Sequence, residues 1–220
     1  MELMVFDEVL ELARSVSQFT IAGEGNVSVR DGDAMLIKAS GSTLATMSDD
    51  DLVRCDLDGN AFEGEEKKPS MEVSFHAWIL KTFPEINCVC HTHPTNTNKI
   101  LCSGDLDNFA NRRLFPDQVV RNGIKSCVVP YATPGILLRE EIKKSVLEFI
   151  VNNGFFPRLI LLKNHGIITA STSVQEAIVS TLMCEKSAEI FIGAKMLGKI
   201  QFLTQDEIDA VNTHPSEKYR

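Results

Sequence analysis

Leu3, Phe6, Leu10, Ala13 and Ser17 step at helical spacing, so residues 2–18 read as an amphipathic helix that opens the chain. A glycine turn, Ala22-Gly23-Glu24-Gly25-Asn26, leads into an apolar strand at 27–30. Asp31-Gly32-Asp33 is a hairpin signal, and 34–38 is the returning strand. Residues 53–57 form a further strand closed by Asp58-Gly59-Asn60, and the charged run 63–68 is an exposed loop. Pro69-Ser70 then opens a helix with Val73, His76, Ala77 and Leu80 on its core face. Strands follow at 87–91 and 126–130, with a short helix at 96–101 and a longer one at 139–151. The most apolar strand, 159–163, pairs with 167–170 through the turn Asn164-His165-Gly166, and a long helix runs from Ser173, as N-cap, to about 197. The tail from 198 on is polar and has no clear pattern. This order predicts one mixed sheet covered by helices, in a single α/β domain.

Composition changes this picture little. A chain of 220 residues, 44% hydrophobic and 24% charged, is an ordinary globule with mass enough for a proper core. Its formal charge of −8 argues against a nucleic-acid partner, because a phosphate backbone demands a basic face. A small phosphate needs only a few aimed donors and stays possible. No run approaches the ~18 apolar residues of a membrane span. The acidic, helical start is unlike a targeting peptide, and the six cysteines lack framework spacing. The expectation is a cytoplasmic protein with reduced thiols and no membrane partner.

Chemistry concentrates in two short segments. In Cys90-His91-Thr92-His93-Pro94 a strand would point His91 and His93 to one face, and Pro94 would end it there. His165 brings a third imidazole from a distant turn. Three neutral imidazoles with an open fourth position hold catalytic divalent metals, most often zinc. Glu72 is the carboxylate candidate, in the first turn of its helix where the dipole favours an anion. Beside a metal it would be a resting fourth ligand and a proton-transfer base. His76 reads as a core histidine hydrogen-bonded locally, and His214 has no assigned role. Gly25-Asn26, Ser40-Gly41 and Pro69-Ser70 have the composition of an anion cradle, the last beginning a helix with free N–H groups.

Taken together, Gly25-Asn26-Val27-Ser28, Ser40-Gly41, Pro69-Ser70-Met71-Glu72 with His76, His91-Thr92-His93-Pro94, Pro130-Tyr131 and Asn164-His165-Gly166 resemble, in order, the pattern of the class II aldolase/adducin family. The likeness runs from about residue 5 to 197, leaves 198–220 as a tail, and is nearest to the fuculose-phosphate aldolases. It implies a three-layer fold with a mainly antiparallel central sheet. It also implies zinc on His91, His93 and His165, with manganese, iron or cobalt as substitutes. Glu72 would shuttle the proton, and Gly25, Asn26, Ser40, Gly41 and Ser70 would hold the substrate phosphate. Tyr131 would reach a neighbouring subunit's site as proton donor in a homotetramer with sites between subunits. Met71 stands where those aldolases carry a second serine, Ser40 replaces a threonine, and the tail with Tyr219 does not align.

The implied reaction is cleavage of a ketose 1-phosphate to dihydroxyacetone phosphate and an aldehyde, through an enediolate stabilised by zinc. Decarboxylation, dehydration or epimerisation of a sugar phosphate or sugar-acid phosphate by the same site is the alternative. A non-catalytic module like the adducin head is an alternative of another class. A Schiff-base route through Lys38 or Lys163 is redundant beside the histidines.

Overall fold

The structure, a computed structural model, describes residues 2–215, with side chains from Val5 onward. Leu3's side chain and Tyr219 lie outside the described residues. Seven strands form one sheet: β1 (Asn26–Asp31), β2 (Ala34–Lys38), β3 (Leu52–Asp56), β4 (Cys88–Thr92), β5 (Cys127–Val129), β6 (Leu159–Leu162) and β7 (Gly166–Ser171). Their spatial order is β3-β2-β1-β4-β7-β6-β5. Only β5 and β6 run parallel among the described pairs. The mixed, mainly antiparallel sheet is therefore as expected, and its two hairpins follow from their turns. Gly32 (φ +61°) supplies the left-handed residue between β1 and β2, and Asn164 (φ +55°) does so between β6 and β7.

The pleat explains why the sheet is covered twice. Val27 and Val29 of β1, Leu36 of β2, and Cys88 and Cys90 of β4 pack on one face against α1 (Glu2–Val16) and α7 (Val174–Leu197). On this face lie also α3 (Thr95–Leu101) and α4 (Leu106–Asn111), packed with Leu159, Leu161 and Ile167. The alternate residues Met35, Ile37, Val53, Val89, Ile160, Leu162 and Ile168 turn to the other face. There they meet Phe75, Ile79 and Leu80 of α2 (Val73–Thr82), and Ile142 and Val146 of α6 (Ile136–Asn153). Three layers result, as the resemblance implied.

Three differences from the sequence expectations bear on the site or the tail. The second helix begins at Val73 rather than at Ser70, so Glu72 is its N-cap residue and not part of its first turn. Residues 70–72 form a turn instead, with Ser70 Oγ accepting from the Glu72 N–H (3.3 Å) and Ser70 O from the Val73 N–H (3.0 Å). Two short helices, α4 and α5 (Pro116–Asn122), occupy a stretch where the pattern predicts no element, and the tail contains α8 (Gln205–Thr213). Thr204 and Glu207 cap that last helix reciprocally, a signal its polarity masked.

Candidate metal centre and active site

His91 is the last residue but one of β4, on the face that meets α2, directly across from Asn26 of β1 and Ile168 of β7. Three residues on, Pro94 releases the chain into α3. The α7 residue Glu185 holds that start by accepting from the Asn96 N–H (2.8 Å) and the Thr97 N–H (2.9 Å). His93 is thereby fixed beside His91, with their Nε2 atoms 3.0 Å apart. His165 arrives from the β6–β7 turn. The nitrogen atoms that His91, His93 and His165 offer lie within 4.8 Å of one another. The structure thus brings together all three histidines singled out from sequence.

Gly166 makes this approach possible. A Cβ there would lie 2.5 Å from His93 Cδ2, 2.6 Å from Thr92 O and 3.2 Å from His91 Cε1. Gly25 is equally constrained: at φ +67°, an added Cβ would lie 2.8 Å from His91 O. The two glycines are needed because backbone crowds the histidines from both sides.

Glu72 reaches the same point. Its Oε2 lies 3.3 Å from His91 Nε2 and its Oε1 3.7 Å from His165 Nε2. Oε1 is buried and has no hydrogen-bond partner. His91 donates from Nδ1 to Ile167 O (2.8 Å), which leaves its Nε2 lone pair aimed inward. His93 Nδ1 faces Glu24 Oε2 at 3.6 Å. Burial pushes the imidazoles toward the neutral form. For His91 burial, then His165, lower the pKa to about 3 against the pull of Ile167 O. For His93 burial, then His91, lower it to about 4. His165 is lowered by burial against the attraction of Glu72. An inward lone pair, neutral imidazoles and an orphaned carboxylate oxygen suit a divalent cation, which would satisfy them together.

The cradle segments also meet. Ser40 N–H donates to Lys68 O (2.9 Å) and Ser70 N–H to Lys38 O (3.0 Å), joining 38–40 to 68–70. Lys38 is buried and donates to Gly23 O (3.2 Å), Ala39 O (3.4 Å) and Ser42 O (2.7 Å), tying in the glycine turn. Burial lowers its pKa, opposed by Asp51 and Glu72. With three carbonyls to serve, its nitrogen is a structural donor and not a nucleophile. Ser40 and Gly41 are exposed, whereas Gly25 and Ser70 are buried. Asn26 also ties this region to the carboxylate, its side-chain amide donating to Glu72 Oε2 (2.8 Å).

The local hydrogen bond expected of His76 is replaced by two long-range ones. Its ring is fully buried, 2.7 Å from Ser28 Oγ and 2.5 Å from Asn26 Oδ1. The signal for this was present: Asn26 and Ser28 alternate on one strand face, and His76 follows Glu72 by one helical turn. Tyr131 lies just beyond β5 and is 60% exposed.

The sequence matches, over residues 8–192, the family described as Class II Aldolase and Adducin N-terminal domain. A 3-oxo-tetronate 4-phosphate decarboxylase of Haemophilus influenzae is 33% identical over 211 residues, covering 94% of this chain and 93% of the relative. An L-fuculose phosphate aldolase of Methanococcus maripaludis is 28% identical over 86% of this chain and 96% of its own. Among solved structures, YgbL of Escherichia coli superposes with a TM-score of 0.81 at 27% identity, covering 96% of this chain and 99% of that one. An L-fuculose 1-phosphate aldolase gives 0.80 at 25% identity, covering 95% and 94%.

Proposed function

We propose, since this chain belongs to the class II aldolase and adducin family, that it is a metal-dependent lyase breaking a carbon–carbon bond in a phosphorylated sugar or sugar acid. The observation that carries this reading is the convergence of three inward-facing imidazoles and an unpartnered Glu72 oxygen. Bound there, zinc or a related divalent ion would supply a Lewis acid for the negative charge that develops on the substrate as the bond breaks. His91, His93 and His165 hold it. Glu72 Oε1 takes or returns the proton on the adjacent carbon. Gly25, Asn26, Ser40, Gly41 and Ser70 seat the phosphate. The intact histidines and carboxylate weigh against a non-catalytic module.

Decarboxylation of a 3-oxo sugar-acid phosphate is the first candidate reaction, supported by the Haemophilus influenzae relative that covers nearly the whole chain. Cleavage of a ketose 1-phosphate such as L-fuculose 1-phosphate is the second, favoured by the position of Tyr131. Its side chain is exposed, as are those of Ile136 and Leu137 a few residues on in the sequence. That surface suits contact with a neighbouring copy, where Tyr131 would serve an adjacent site in a homotetramer. The six unpaired cysteines accord with a reducing cytoplasm. Loss of carbon dioxide from 3-oxo-tetronate 4-phosphate and aldol cleavage of a ketose 1-phosphate both leave dihydroxyacetone phosphate. Product analysis with both substrates separates them: carbon dioxide release marks the first reaction and an aldehyde the second. A metal-loaded protein that cleaves neither would contradict the proposal.

A further inference from the structure

The chain Ser28–His76–Asn26–Glu72 is buried along its whole length. Its donors and acceptors can be assigned by elimination. A carboxylate only accepts, so the Asn26 Nδ2 group faces Glu72 Oε2. Asn26 Oδ1 then faces His76 Nε2, which must carry the ring's proton and donate. Nδ1 is left bare and accepts from the Ser28 hydroxyl. One tautomer and one amide orientation satisfy every member. The reversed amide would set its oxygen against the carboxylate.

We propose that His76 is a positioning residue: by donating to Asn26 it locks the amide so that Asn26 clamps Glu72 Oε2, leaving Oε1 as the proton-transferring oxygen. This rests on the lyase reading for its consequence, though not for its geometry. Both oxygens face the metal centre, Oε2 at 3.3 Å from His91 Nε2 and Oε1 at 3.7 Å from His165 Nε2, but Oε2 is committed to the amide while Oε1 has no hydrogen-bond partner. Burial and the nearby His91 also keep the His76 ring neutral, as a single-proton donor requires. Phe75 stacks on the ring, with centroids 4.6 Å apart, and restricts its rotation.

Two measurements test this. Long-range proton–nitrogen correlation spectra of 15N-histidine-labelled, zinc-loaded protein report the His76 tautomer without any reaction. The expected form is Nε2–H, and an Nδ1–H form overturns the assignment. Solvent deuterium exchange into dihydroxyacetone phosphate reads Glu72 function for either candidate reaction. His76→Leu removes the donor and should slow maximal exchange ~10–100-fold, with metal content and the half-saturating concentration unchanged. His76→Gln places an amide donor near the Nε2 position and should recover most of the rate. Exchange as fast in His76→Leu as in the parent, or equal losses in both variants, would overturn the positioning role. If the leucine variant does not fold, the tautomer and the glutamine variant decide. A parent protein that does not exchange at all refutes the lyase reading instead, while the tautomer still tests the clamp.

Discussion

Gly166→Ala is a one-carbon change with a calculable effect on the metal centre. The new Cβ would lie 2.5 Å from His93 Cδ2 and 2.6 Å from Thr92 O. Carbon atoms pack comfortably at ~3.5–4.0 Å, so the alanine must drive its neighbours back by about 1 Å. One neighbour is backbone and the other is a proposed ligand ring, and neither is the loose end of a flexible chain. Overpacking of this kind costs ~1–3 kcal/mol. For a chain of this size that lowers the unfolding temperature by roughly 2–12 °C. The effect on the metal should be larger than on the fold, because ligand distances must hold to within ~0.2 Å. We therefore expect zinc affinity to fall by about tenfold or more, the loss typical when ligand orientation is disturbed. Competition titration against a chromophoric chelator measures the affinity, with thermal denaturation in parallel. Gly104→Ala is the control, since nothing lies within 4 Å of its Cβ position. A Gly166→Ala protein that binds zinc as tightly as the parent would refute the packing argument.

Other consequences follow from the same geometry. Glu72→Gln should retain metal but lose about 100-fold or more in turnover, and unchanged turnover would remove Glu72 from proton transfer. Tyr131→Phe should slow aldol cleavage without changing metal affinity, and light scattering should show a tetramer; a monomer with full activity would contradict the shared-site reading. Stripped of metal, the protein should lose stability as pH falls from about 6.5, the ordinary histidine value, toward about 4 and about 3, the values for His93 and His91. The sign follows because the unfolded chain takes up protons there while the folded one does not, so unfolding is favoured as pH drops. Urea denaturation across that range checks it, and a flat profile would contradict the neutral-imidazole assignment.

The sheet and its two covering layers were legible because their signals are local. Strands β1 and β2 carry a hairpin turn, β6 is almost wholly apolar, and α7 has a serine cap whose side chain accepts from Glu176 N–H. The histidine cluster was legible for a different reason: alternation puts His91 and His93 together, and the turn Asn164-His165-Gly166 offers a third imidazole. Helices α4 and α5 were missed because each spans only two turns or fewer and lacks a side-chain cap at its start. The chain through His76 was missed because its partners lie 48 and 50 residues away in sequence. Periodicity marked the ring as buried, and the polar pair Asn26 and Ser28 on one face of β1 becomes a signal only once that strand is known to lie beneath the helix that carries His76. Glu24, from the glycine turn, comes within 3.6 Å of His93 only through the folding of two separate loops.

The account stands most directly on whether His91, His93 and His165 share one ion. X-ray absorption on protein purified without chelator and reloaded with zinc measures this. The expected result is one zinc per chain with three imidazole nitrogens at ~2.0–2.1 Å, and loss of that ion in any single histidine-to-alanine variant. A protein that takes up no metal, or that keeps its zinc when all three histidines are replaced, would contradict it.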